Sequence, residues 1–138
     1  MSGDSFLDTN VLVYAFDPAS PKKRETARAL IGGKSWWVSW QVVQEFVHVA
    51  FHRFSAPLKH RDLVEYLEVV LWPRCRVFPS LEITRHALRL QKDTGHRFND
   101  CLVLASAEAS GAKFLFSEDL QHGRSYGAVQ VRNPFREG

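Results

Sequence analysis

Four acidic side chains stand at points in the sequence where carboxylates could act together. The first follows a short apolar run at 5–7, and the last follows a second apolar run at 114–116 with two residues between. The third opens a nearly all-apolar segment, and the second lies within a long amphipathic one. The four are Asp8, Glu45, Asp100 and Asp119.

Carboxylates that converge on one crevice repel one another unless cations neutralise them. Oxygen ligands with little histidine or thiolate suit Mg²⁺ or Mn²⁺. Two such ions, roughly 4 Å apart, can lower the pKa of water and stabilise charge on a phosphate group. The residues therefore indicate metal-assisted phosphodiester hydrolysis or other phosphoryl chemistry.

Each acid also has a purely structural explanation. Asp8 can serve only as a helix cap, and Asp100 can be a first-turn acid that favours the helix dipole. Glu45 can be a solvated residue on a polar stripe, and Asp119 can be a turn residue. Spacing alone does not show that the four side chains meet.

Strand-like and helical segments alternate along the chain. Apolar runs predict strands at 5–7, 36–38, 75–78, 114–116 and 129–131, and helices are predicted near 9–16, 21–31, 41–54, 58–71, 81–92 and 99–109. Asn99 is expected to cap the last helix and place Asp100 in its first turn. The pattern predicts a three-layer α/β sandwich with a mostly parallel central sheet of four to five strands. Such sheets carry their sites beyond the carboxyl ends of the strands.

Length and composition fit one domain over residues 1–138. The net charge of +3 permits an anionic partner but does not require one. The N-terminus has no signal-peptide pattern, and no apolar stretch is long enough to span a bilayer. Cys75 and Cys101 are isolated thiols, so we expect a reducing, cytoplasmic setting without membrane contact.

The order of the motifs resembles that of PIN domains. Phe6-Leu7-Asp8-Thr9-Asn10 is similar to their opening strand and acid, and Gln44-Glu45-Phe46 to their second acidic position. Phe98-Asn99-Asp100-Cys101 is similar to their third, and Phe116-Ser117-Glu118-Asp119 to their fourth. The resemblance covers nearly the whole chain, and the small size is similar to that of the VapC-type toxins of bacterial toxin–antitoxin pairs.

The resemblance implies a Mg²⁺- or Mn²⁺-dependent endoribonuclease that acts on RNA as a homodimer and is inhibited by a cognate antitoxin protein. The implied metal ligands are Asp8, Glu45, Asp100 and Asp119, although Glu118 could replace its neighbour as the fourth acid. The implied supporting residues, which would hold these ligands by hydrogen bonds, are Thr9, Asn10 and Ser117.

Two arginines beside the acids could contact phosphates next to the scissile one. Arg97 precedes Asp100, and Arg124 follows Asp119. A solvated loop position explains either arginine as well.

Three other functions stay open. A phosphatase with a covalent aspartate would favour Asp-x-Asp after the first strand, whereas this chain has Asp8-Thr9-Asn10. A non-catalytic PIN-like module that binds RNA or protein would be expected to lose one or more acids. The third alternative is a structural interaction protein, in which the apolar runs Val38–Val43 and Val69–Trp72 could serve a dimer or an antitoxin groove.

Overall fold

The computed structural model describes residues 4–33, 35–52, 54 and 58–136. The strands are β1 (Ser5–Leu7), β2 (Trp36–Ser39), β3 (Cys75–Val77), β4 (Phe114–Phe116), β5 (Ser125–Tyr126) and β6 (Val129–Arg132). The helices are α1 (Thr9–Tyr14), α2 (Pro21–Ile31), α3 (Trp40–His52), α4 (His60–Tyr66), α5 (Leu81–Thr94) and α6 (Phe98–Ala109).

The strands form one sheet in the order β3-β2-β1-β4-β6-β5. All neighbours are parallel except β5, which runs antiparallel to β6. The prediction of a three-layer α/β sandwich with a mostly parallel sheet is confirmed. The predicted strand number of four to five was too low, because the two-residue β5 has no apolar run to reveal it.

The sheet is covered by two groups of helices. On one side α1 contacts both α2 and α3, and on the other α5 packs along α6. An aromatic cluster fills the space near α1 and α3, where Phe16 stacks on Phe54 with ring centroids 5.4 Å apart and meets Tyr66 edge-on. Helix α6 is almost wholly buried over Val103–Ala107, as its apolar sequence predicts.

Two of the predicted helices differ clearly from those in the structure. Helix α6 begins at Phe98 rather than after Asn99, because the extended backbone of Arg97 occupies the capping position and its carbonyl accepts from the Cys101 amide. Asp100 still lies in the first turn. The helix predicted over 58–71 is regular only to Tyr66 and continues as a π-helical segment, Leu67–Leu71. None of the helices in the described ranges is long and apolar enough to cross a membrane.

Candidate active site

The pairing of β1 with β4 brings together residues from opposite ends of the chain. Leu7 lies opposite Phe116, so Asp8 and Ser117 leave the sheet side by side. The carboxylate of Asp8 accepts two hydrogen bonds of 2.7 Å, one from the Thr9 amide and one from the Ser117 hydroxyl. Asp8 therefore caps α1 and also faces the carboxyl end of the sheet, so its structural and functional roles do not exclude each other.

Asn10 connects α1 to the loop that follows β4. Its Nδ2 atom donates to Asp119 Oδ2 at 3.1 Å, and its Oδ1 atom accepts from the Glu118 amide at 3.2 Å. The Ser117 hydroxyl, which is fully buried, also accepts from the Asp119 amide at 3.2 Å. The loop 117–119 is thus tied to α1 by both its side chains and its backbone.

The four predicted acids line one cavity of about 340 Å³ at this end of the sheet. They come from four different places: the end of β1, helix α3, the first turn of α6 and the loop after β4. The other residues lining this cavity, called here the acid cavity, are Thr9, Asn10, Arg97, Phe98, Asn99 and Val103.

Burial and mutual repulsion shape the charge of the acid cavity. Burial raises the pKa of Asp8 to about 6, against the hydrogen bonds from Ser117 and Thr9, and the charges of Asp119 and Asp100 add to the rise. Burial likewise raises the pKa of Glu45, with a further contribution from the charge of Asp8. A cation in the cavity would relieve this repulsion.

The donor set fits a hard divalent cation. Four of the lining residues carry carboxylates, and the buried hydroxyl of Thr9 has no hydrogen-bond partner within the described ranges. In those same ranges, no three Asp, Glu, His or Cys side chains come close enough together to hold an ion as they stand.

Glu118 and Asp119 point to different places. Asp119 lines the acid cavity, whereas Glu118 accepts from the Tyr14 hydroxyl at 2.6 Å and from the Lys23 ammonium at 2.5 Å. Glu118 does not line the acid cavity but lines a second, larger groove of about 590 Å³. Asp119 and Asn10 line both spaces, which therefore adjoin. The geometry favours Asp119 as the fourth acid. The contact between Lys23 and Glu118 had no sign in the sequence.

The two candidate arginines differ in position. Arg97 lines the acid cavity, and its Nε atom lies 3.5 Å from Asp100 Oδ2, with most of the side chain exposed. Arg124 is not part of the cavity lining; its guanidinium lies over the ring of Tyr126, 4.8 Å from the centroid. Only Arg97 is placed beside the acids.

Gln41 supports the cavity wall. Its Nε2 atom donates to the Asn99 carbonyl at 3.1 Å, which joins α3 to α6, and its hydrogen bond to Glu45 opposes the rise in the pKa of that carboxyl. Sequence reasoning did not assign it a role, although its position four residues before Glu45 on one helix face was a usable signal.

Three solved structures show the same fold. A toxin-antitoxin complex from Klebsiella pneumoniae matches with a TM-score of 0.67 at 18% identity, covering 96% of this chain and 99% of that one. FitAcB from Neisseria gonorrhoeae matches with a TM-score of 0.65 at 22% identity, covering 96% and 99%. Mycobacterium tuberculosis VapC20, described as a sarcin-ricin loop cleaving toxin, matches with a TM-score of 0.63 at 20% identity, covering 83% and 91%.

Sequence comparison gives the family. No curated protein matches the chain significantly. The family model described as PIN domain matches residues 5–126, a range that includes all four acids and most of the sheet. The chain therefore belongs to the PIN domain family.

Proposed function

We propose that this protein is a Mg²⁺- or Mn²⁺-dependent endoribonuclease and the toxin of a toxin–antitoxin pair. The observation that carries the proposal is the acid cavity, in which carboxylates from four separate elements face one space. Membership of the PIN domain family supports a nuclease, and the similar VapC20 is described as a toxin that cleaves the sarcin-ricin loop.

The proposed metal ligands are Asp8, Glu45, Asp100 and Asp119. Bound divalent ions would supply a water of lowered pKa and offset charge on the phosphate. The Thr9 amide and Ser117 orient the carboxylate of Asp8, and Asn10 orients that of Asp119. Such outer contacts fix the direction in which ligand oxygens point.

Arg97 is the proposed phosphate contact on the protein side. Its guanidinium is exposed at the edge of the acid cavity and pairs only loosely with Asp100, at 3.5 Å. If Asp100 held a cation, Arg97 would be able to turn to a phosphate next to the scissile one.

The test is cleavage by purified, partner-free protein. Structured RNAs and single-stranded DNA are incubated with Mg²⁺, Mn²⁺ or EDTA, using the wild type, Asp8→Ala and Asp100→Ala. Asp93→Ala, which changes an exposed acid near the end of α5, is the matched control. We expect RNA cleavage that requires metal, is lost in the two cavity variants and persists in the control.

The other outcomes separate the alternatives. RNA binding without cleavage, together with no Mn²⁺ binding, would identify a non-catalytic module. Release of phosphate from small monoesters, with RNA left intact, would identify a phosphatase. Cleavage of DNA at the same rate as RNA would show that the nuclease is not specific for RNA.

The groove beside the acid cavity is the proposed docking surface for an antitoxin. Tyr14, Phe16, Val49 and Phe54 give it an apolar wall, while Asp17, Glu45 and Asp119 make its charge negative. This combination suits an amphipathic segment that carries Arg or Lys, which could reach the acids and compete with metal. The solved structures similar in fold include toxin–antitoxin complexes. Unchanged antitoxin affinity after neutralising all four cavity acids would contradict the electrostatic part.

We also propose a homodimer. Of the two apolar runs, Val38–Val43 is largely buried, whereas Val69 and Trp72 are exposed. Trp72 packs edge-on against the exposed Phe78, with ring centroids 5.7 Å apart, beside the edge strand β3. An exposed apolar pair at a sheet edge is suited to a second copy. Analytical sedimentation tests this interface. If Trp72→Ser and Phe78→Ser sediment as monomers and the wild type as a dimer, the interface is supported. If both variants remain dimers, it is excluded.

A further inference from the structure

Lys23 makes a set of contacts that the proposed function does not use. Its ammonium group, on α2, lies 2.5 Å from Glu118 Oε2 and 3.3 Å from the hydroxyl of Tyr14. It also lies over the rings of Tyr14 and Phe135, 4.8 Å and 5.9 Å from their centroids. A lysine held by two oxygens and two ring faces has a defined position, unlike a solvated surface lysine.

Both carboxylate oxygens of Glu118 are held by this group. Tyr14 donates to Oε1 at 2.6 Å, and Lys23 donates to Oε2. Burial alone would raise the pKa of Glu118, but these two hydrogen bonds outweigh it and lower the pKa. Both oxygens of Glu118 are engaged by Tyr14 and Lys23, and Glu118 does not line the acid cavity.

Asp119, the next residue, lines the acid cavity as well as the adjoining groove. The backbone of Glu118 is held by Asn10, which also donates to the Asp119 carboxylate at 3.1 Å. Because Glu118 and Asp119 are adjacent, the anchor on the first limits how the second can turn. Without it, the side chain of Glu118 would lose both of its partners and could turn towards a bound cation.

We propose that Lys23, acting with Tyr14 through Glu118, is a positioning residue that keeps Asp119, and not Glu118, facing the acid cavity. Lys23 itself is not part of the lining of that cavity. The inference rests on the proposed metal-dependent function, because the property that Lys23 sets is the affinity of the site for its cation.

The experiment measures Mn²⁺ binding by calorimetry, without RNA. Lys23→Met keeps the length of the side chain and removes its charge, and Lys23→Arg keeps the charge. Loss of a support to a ligand usually costs tenfold or more in metal affinity, so Lys23→Met should weaken Mn²⁺ binding by about tenfold. Lys23→Arg should restore most of it. Lys92→Met, at an exposed position near the end of α5, should bind like the wild type.

A double variant separates positioning from general loss of structure. If Lys23 acts through Glu118, then Lys23→Met combined with Glu118→Gln should bind Mn²⁺ no more weakly than the weaker single variant. RNA cleavage by Lys23→Met should recover in excess Mn²⁺, whereas a partly unfolded enzyme would stay slow. If Lys23→Met fails to fold, Tyr14→Phe tests the same support by removing one hydroxyl.

Three results would overturn the inference. They are wild-type Mn²⁺ affinity in folded Lys23→Met, additive losses in the double variant, and activity that excess Mn²⁺ does not restore. Failure of the proposed function has a different signature, namely a wild-type protein that binds no Mn²⁺ at all.

Discussion

The hydroxyl of Ser117 donates a 2.7 Å hydrogen bond to Oδ2 of Asp8, across 109 positions of sequence. Both residues follow directly on the ends of the neighbouring parallel strands β1 and β4, whose register places Leu7 opposite Phe116. The same Ser117 oxygen accepts from the Asp119 amide at 3.2 Å. One buried hydroxyl therefore joins two of the four acids, and the sheet topology is the reason that they meet.

Replacing Ser117 with alanine should affect both stability and metal binding. The change removes a donor to a buried carboxylate and an acceptor for a backbone amide, which costs about 1–3 kcal/mol in the free energy of unfolding. Mn²⁺ affinity should also fall, because the carboxylate of Asp8 loses its orientation. Urea denaturation and calorimetry measure the two effects.

Ser110→Ala is the matched control for that prediction. Ser110 is buried, donates to the Ala107 carbonyl at 2.6 Å and accepts from the Ala112 amide at 3.2 Å, away from the acid cavity. It should lose stability and keep its Mn²⁺ affinity. Equal Mn²⁺ affinities in the two variants would show that Ser117 supports only the fold.

The raised pKa of Asp8 predicts a pH dependence of stability in the absence of metal. Burial raises this pKa from 3.8 to about 6 in the folded protein. Between these values the unfolded chain releases the proton first, so the free energy of unfolding falls as pH rises through this window and stays lower above it. A shift of about two pKa units corresponds to about 3 kcal/mol.

Denaturation of the wild type and Asp8→Asn in EDTA, from pH 4 to pH 7.5, checks this dependence. Asparagine carries no titrating proton, so the stability of the wild type should drop relative to the variant across the window. Excess Mg²⁺ at pH 7.5 should reduce the difference, because a cation stabilises the ionised carboxylate. A difference that does not change with pH would mean that Asp8 is not desolvated in solution.

Local patterns in the sequence predicted much of the fold. Asp8 could be placed because an apolar strand ends directly before it, and Asp100 because an apolar helix begins at the adjacent residues. Alternation of strands with helices was enough to predict a parallel sheet. The weak elements, such as the two-residue β5 and the π-helical turn Leu67–Leu71, have no pattern of their own and depend on packing.

The arrangement of the site depended on contacts between distant residues. Glu118 and Asp119 are adjacent acids in the same turn, and local sequence does not distinguish them. The distinction comes from Lys23, which lies 95 positions away from Glu118 and meets it only in the folded chain. Likewise, Arg97 and Arg124 were equivalent in sequence, and only the structure places one beside the acid cavity and the other on Tyr126.

Excess Mn²⁺ should restore RNA cleavage when Glu118 is substituted but not when Asp119 is. Asp119→Asn removes a proposed ligand, so RNA cleavage should fall by about 100-fold or more and stay low at any Mn²⁺ concentration. Glu118→Gln disturbs only the position of that ligand, so its cleavage rate should approach the wild-type rate as Mn²⁺ is raised. Single-turnover cleavage across a Mn²⁺ titration separates the two. The reverse pattern would make Glu118 the fourth acid.

Reversal of charge at the two arginines should have unequal effects on RNA. Arg97→Glu places another carboxylate beside the acids, so RNA should bind and be cleaved more weakly, while the exposed position leaves the fold intact. Loss of one phosphate contact should also reduce the slope of log affinity against log salt by about 0.7 for single-stranded RNA. Arg124→Glu is the control, because this change removes only a contact with Tyr126. The measurement is the RNA affinity of both variants across a salt series, in an Asp8→Asn background that prevents cleavage. A larger loss of RNA affinity in Arg124→Glu than in Arg97→Glu would contradict the prediction. It would place the bound RNA on the β5 side of the sheet.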